Sequence, residues 1–176
     1  MSQETKPYTI NLRDQKTALA AYHWVADDAF FAQADQDDIQ RGTVDVWLES
    51  ERTAGGAYAL RFNLKGQVWV VCDRCAETLG LNLEGSGTLF VKLGEEDADD
   101  GDVITIPEER GTLDLGWNLY ELIALQLPLR RVHPEGECPE EALEALRRLS
   151  ADEAPEDDVQ STDPRWDALK KMLDNK

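Results

Sequence analysis

Between Thr43 and Val91 apolar and polar residues alternate in a series of runs, and a period of two commits a chain to half-buried β-strands. Val44, Val46 and Leu48 alternate with Asp45, Trp47 and Glu49. After a Gly55-Gly56 turn, Tyr58, Leu60, Phe62 and Leu64 alternate with Ala59, Arg61 and Asn63, and beyond Gly66 the run resumes through Val68, Val70 and Cys72. Leu79, Leu81 and Leu83 alternate again, and Leu89 and Val91 follow Gly85 and Gly87. Short runs joined by turn residues pair with their sequence neighbours, so the expectation is an antiparallel meander rather than a parallel sheet. Gly66, inside an otherwise regular run, reads as a bend or bulge.

The flanks are less regular. Tyr8 to Leu12 reads as a short strand, whereas Thr17 to Ala34, rich in Ala and Phe among acids, shows no clear period; His23, beside Trp24, reads there as a surface or packed residue. Glu95 to Asp102 is too charged to pack and reads as a solvated loop, without the ligand register of an EF-hand. Val103 to Ile106 returns as a strand. The period then changes: Leu115, Leu119, Leu122, Ile123 and Gln126 follow helical spacing behind Asp114, a good N-cap residue, until Pro128 ends the helix; Glu121 reads there as a solvated carboxylate. A second helix is expected from Pro139, with Glu140 and Glu141 in its first turn. An acidic linker from Ser150 to Thr162 leads to a last helix capped by Asp163, whose stripe of Trp166, Leu169, Met172 and Leu173 can dock on this protein or on a partner. The predicted class is α+β: an antiparallel sheet or meander, open or partly closed into a barrel, with helices packed from the C-terminal half. The domain reading is a core over 1–138 and an acidic helical extension over 139–176.

With 176 residues the chain can bury a sizeable core without a metal or disulfide. Its formal charge of −18 opposes tight, sequence-independent contact with phosphate backbones and favours basic partners, at rates that fall with salt. No apolar window reaches the roughly 18 residues needed to span a bilayer, and Met1 to Lys6 lacks the apolar stretch of a signal peptide. The expected compartment is the cytoplasm, with no membrane contact.

The sharpest chemical signature is Cys72-Asp73-Arg74-Cys75, whose spacing lets one tetrahedral ion take both thiolates. Structural zinc asks for four ligands, and the remaining candidates are His133 and Cys138, the third cysteine of the chain. A zinc site of Cys72, Cys75, His133 and Cys138 stands beside two alternatives, plain reduced thiols and a redox pair; the last fits poorly between strands, because redox pairs open a helix. Asp73 and Arg74 read as turn residues, with Arg74 a candidate contact for an anionic partner. Gly-rich phosphate loops, Gly-x-Ser-x-Gly elbows and His-Glu-x-x-His are absent, which leaves an enzyme reading weak.

Cys72-Asp-Arg-Cys75, Leu113-Asp114-Leu115, Glu121-Leu-Ile-Ala-Leu-Gln-Leu-Pro128, His133, Cys138 and Asp163-Pro-Arg-Trp-Asp-Ala-Leu-Lys170 follow one another in this order. Together, from about Gly42 onward, they resemble the bacterial YceD family of large ribosomal RNA subunit accumulation proteins. The resemblance implies a bacterial cytoplasmic factor needed for accumulation of large-subunit ribosomal RNA, often encoded beside a large-subunit ribosomal protein. Matched by residue, the family's paired cysteines fall on Cys72 and Cys75 and its trailing His and Cys on His133 and Cys138; Ala76 departs from the Leu common after the second Cys. The function expected is therefore a non-enzymatic accessory factor whose partners are the large-subunit RNA precursor, a basic ribosomal protein, or both. The alternatives are an acidic chaperone for a basic ribosomal protein and a thiol- or metal-dependent enzyme built on the cysteine pair.

Overall fold

The computed structural model describes residues 8–15, 18–99 and 103–150. The chain divides into two units, Met1–His133 and Pro134–Lys176. In the first lie β1 (Thr9–Asn11), β2 (Leu19–Ala26), α1 (Asp28–Ala34), β3 (Arg41–Arg52), β4 (Tyr58–Val71), β5 (Thr78–Gly94), β6 (Ala98–Asp99), β7 (Val103–Pro107), β8 (Thr112–Asp114) and α2 (Gly116–Ala124); the second holds α3 (Glu140–Leu149). The fold is α+β, with two of its three described helices in the C-terminal half.

Strands β3 to β5 form the expected meander and β2, in the stretch without a clear period, adds to it, each antiparallel to the next, within a sheet ordered β2-β3-β4-β5-β7-β6 that stays open rather than closing into a barrel. The meander ends at β7, which runs parallel to β5 with Phe90 opposite Val103, a pairing that local periodicity does not show. Ala98–Asp99 within the acidic segment pairs with β7, and Arg110 grips the Asp97 carboxylate with both guanidinium nitrogens, so this segment is partly structured rather than wholly a solvated loop. β1 and β8 form a separate two-stranded ladder.

Period two is kept through the whole of β4, and this corrects the expected bulge. Gly66 stays in register on both sides, opposite Val44 and opposite Leu83. Its reason is proximity: a Cβ here would overlap the Thr43 carbonyl and lie 2.6 Å from the Val44 Cα. Glycine lets two backbones close where any side chain would hold them apart.

Alternation then sorts the faces. Val44, Val46 and Leu48 of β3 and Leu60, Phe62, Leu64, Val68 and Val70 of β4 are buried on one face. α1 packs on β3 and α2 on β5, with Phe30, Phe31, Leu119, Leu122 and Ile123 buried; Ile10 and Leu113 of the small ladder are buried as well. Each large apolar side chain buried this way contributes about 1.5–3 kcal/mol before chain entropy is charged against it. The opposite face carries polar residues interleaved with aromatics: His23 stacks on Trp47 at 5.3 Å, and the Arg41 guanidinium lies 4.1 Å from the Trp69 ring centroid.

The helices begin differently from the reading of the sequence. Asp27 caps α1, accepting the Phe30 N–H at 3.1 Å, and Asp28 accepts the Gly42 N–H at 2.9 Å, fastening α1 to the start of β3. For α2 the N-cap is Leu115, not Asp114, which ends β8 and accepts the Gly116 N–H at 3.0 Å. α2 is also shorter than expected: it ends at Ala124, and Gln126 lies in the following turn, its N–H bonded to the Ile123 carbonyl. In the second unit α3 starts at Glu140 behind Pro139, with Glu140 and Glu141 in its first turn and Arg147 and Arg148 in its last. Among the described residues no helix is long and apolar enough to cross a membrane. The terminal helix read from Asp163 and the linker before it lie outside the described residues.

Because the atoms facing Gly66 belong to backbone, Gly66→Ala cannot be absorbed by a rotamer change. Chemical denaturation should show a loss of about 2 kcal/mol or more, whereas Gly55→Ala, with open space around its Cβ, should change stability by less than about 0.5 kcal/mol.

Candidate metal centre at the β4–β5 hairpin

Cys72 follows the last residue of β4, and Cys75 stands three residues before β5, so the signature occupies the hairpin loop itself. The loop is closed by main-chain bonds: the Cys72 N–H donates to the Glu77 carbonyl at 2.8 Å, and the Ala76 N–H donates to the Cys72 carbonyl at 2.9 Å. Ala76 is forced to φ 60°, the left-handed region in which a Cβ is costly.

Both cysteines are buried, at 1% and 9% exposure. Burial pushes the Cys72 thiol up, but the backbone N–H groups of Cys75, Arg74 and His133 and the Cys75 thiol all point at its sulfur. Together they outweigh burial and lower its pKa from 9.0 to about 6. The loop thus favours the thiolate form of this sulfur. It has no helix behind it, unlike the thiolates of redox pairs, and that leaves the redox alternative without its usual structural support.

His133 reaches the loop from the end of the first unit. Its Nδ1 lies 3.4 Å from the Cys75 sulfur, and its Nε2 lies 3.2 Å from the Thr78 carbonyl. A carbonyl can only accept, so it holds the proton on Nε2 and turns the Nδ1 lone pair toward the thiols. This is the way metal-binding histidines are held: the distal N–H is anchored and the ligating nitrogen aimed. The ligand atoms of Cys72, Cys75 and His133 lie within 4.8 Å of one another, close enough to meet on one ion after small movements.

What brings His133 here is a residue the sequence reading treated as turn filler. The Asp73 N–H donates to the Arg131 carbonyl at 2.7 Å, and the Arg131 N–H donates to the Asp73 carboxylate at 2.7 Å. The Arg131 guanidinium also sits 3.4 Å from that carboxylate and 3.5 Å from Asp38. This reciprocal pair fixes residue 131 against the loop and leaves His133 two residues away. An acid inside a Cys-x-x-Cys loop was the only signal in the sequence, and it names no partner.

The other sequence-predicted residues fall as follows. Cys138 belongs to the second unit, where it is buried, five residues beyond His133 and next to the residue that precedes α3. Between them the Glu137 N–H bonds the Pro134 carbonyl at 3.2 Å, with Gly136 at φ 84°, making a turn. Arg74 is half-buried in the loop, with no ion-pair partner among the described residues. Trp166 and Leu169 lie outside the described residues.

Two outcomes follow. Ala76→Gly relieves the left-handed strain and should stabilise the protein by about 1 kcal/mol, read by denaturation. In metal-free, reduced protein the ultraviolet thiolate absorbance should contain a step near pH 6 that Cys72→Ser removes. Since this pKa is lowered by folding, the stability it contributes is fully present above the ordinary thiol value of 9.0. It is lost as pH falls toward about 6.

The geometry can be set beside known proteins. Neither a search of curated proteins nor one of solved structures gives a match. The family model described as Large ribosomal RNA subunit accumulation protein YceD matches residues 60–173, which takes in most of β4, the cysteine loop, His133, Cys138 and α3. A match over well more than half of the chain, from the central strand onward, shows that this protein belongs to the YceD family.

Proposed function

We propose that this chain is a non-enzymatic accessory factor in assembly of the large ribosomal subunit, working in the cytoplasm to support accumulation of large-subunit ribosomal RNA. The observation that carries this reading is the family match over residues 60–173, since the family is named for that accumulation. The charge of −18 favours a basic ribosomal protein as the direct client, with the RNA precursor reached through it or touched locally at a cation such as Arg74. Trp166 and Leu169 are the proposed apolar contacts toward that client. Depletion of the protein in its host should lower the ratio of large-subunit to small-subunit ribosomal RNA; an unchanged ratio sinks the proposal.

The cysteine loop supports a structural zinc within the same reading. The donors fit: two buried thiols, one with a lowered pKa, and an imidazole whose tautomer is set by the Thr78 carbonyl. Cys138 is proposed as the fourth ligand, as the third cysteine of the chain and on a five-residue tether from His133 that contains a turn. Zinc here would hold the hairpin loop and the segment at His133 together. It supplies no reaction step. Purified protein should carry one zinc per chain by elemental analysis; Cys72→Ser and Cys138→Ser should each lose it, and chelation should lower Tm. Full zinc retention in Cys138→Ser would remove that residue from the ligand set.

A further inference from the structure

Away from the cysteine loop, the first unit holds a half-open cleft of about 260 Å³. Its walls are aromatic. Tyr8 and Phe30 meet edge to face at 4.9 Å between centroids, and Trp117 stacks with Tyr120 at 5.8 Å and 24°. Tyr120 is 4% exposed and forms the floor; Trp117, 53% exposed, forms the rim. Gln33 and the Asp114 carboxylate supply the polar lining.

Three properties set what such a cleft can take. Aromatic faces attract cations, most strongly those of Trp and Tyr. The chain beside it, residues 27–38, carries five aspartates and no basic residue, so the local field is negative. That field is felt at the walls: besides burial, Asp27 raises the pKa of Tyr8, and Asp38 and Asp37 raise that of Tyr120. Arg131 offsets part of the Asp38 charge, which leaves Asp27, Asp37 and Asp114 as the main sources. Third, the Tyr120 ring, stacked with Trp117 and only 4% exposed, gives the cleft a floor whose aromatic face is held in place.

We propose that the cleft walled by Tyr8, Phe30, Trp117 and Tyr120 is a receptor for an arginine or lysine side chain of a basic polypeptide. The cation lies against the aromatic faces in the field of the surrounding aspartates, and the cleft volume suits one such side chain. The identity of that polypeptide as a ribosomal protein rests on the assembly reading above; the cleft's preference for a cation does not.

The test is a titration of the full chain with a short arginine peptide, its citrulline counterpart and a single-stranded RNA oligonucleotide, followed at the Trp117 indole N–H by NMR. Citrulline keeps the shape and loses the charge. The arginine peptide should shift that signal saturably, the citrulline peptide and RNA should not, and raised salt should weaken the binding. Asp114→Asn keeps an oxygen for the Gly116 N–H, and Trp117→Ala alters a half-exposed side chain, so both should stay folded; with arginine-peptide affinity read by calorimetry, since Trp117→Ala removes the reporter indole, each should weaken binding about fivefold or more. The proposal is overturned if Trp117 does not respond to the arginine peptide, responds equally to citrulline or to RNA, or if Trp117→Ala binds as tightly as the unaltered chain. The RNA ratio after depletion reads the assembly role separately. A fall in that ratio with no peptide binding sinks the cleft alone, whereas peptide binding with an unchanged ratio keeps the cleft and sinks the assembly role.

Discussion

The ladder between β4 and β5 is the constraint on which the rest hangs. It pairs Tyr58 with Val91 and runs in unbroken antiparallel register to Val71 opposite Thr78. Because β4 is also paired with β3 along most of its length, the backbone groups in its middle bond alternately to one neighbour and the other, and the strand has no freedom to slide. Its far end therefore delivers Cys72 at one place and in one orientation. The loop that follows can then be small, tightly bonded and turned around a sulfur. The Asp73–Arg131 pair extends this precision to a distant stretch of chain. It joins residues 58 positions apart by one bond between main-chain groups and one from the Arg131 N–H to the Asp73 carboxylate.

How far the sequence discloses this depends on whether a feature is local. Val44 to Leu48 and Tyr58 to Leu64 declare themselves because one sheet face is buried and the other is wet, so the period is visible in composition alone. β2 does not, since its residues are mostly half-exposed and Tyr22, His23 and Trp24 serve either face. α1 has only seven residues, too few for a period. The parallel pairing of β7 depends on a crossover and leaves no trace in the strand itself. Gly66 was misread because a glycine in a strand signals either a bulge or a close approach, and only the neighbour's position separates the two.

The site shows the same division. Cys72, Cys75 and His133 were found by counting ligands, a property of residue types, and the structure brings these three together. The groups that tune them were not found. The Thr78 carbonyl and the N–H groups around Cys72 are backbone atoms, present at every position and given meaning only by the fold. The aromatic cleft was equally hidden, because Tyr8, Phe30 and Trp117 come from three separate elements.

The unbroken register carries an evolutionary consequence. Side chains change face at every step along a strand, so inserting or deleting one residue between Tyr58 and Val71 would turn Cys72 and every apolar residue beyond the change toward the wrong side. A hairpin built this way keeps its faces when its length changes by matched pairs of residues on both strands, whereas a single added residue has to be taken up as a bulge. Single-residue changes are best absorbed in the Thr53–Ala57 turn, which lies between paired strands and where no such parity applies.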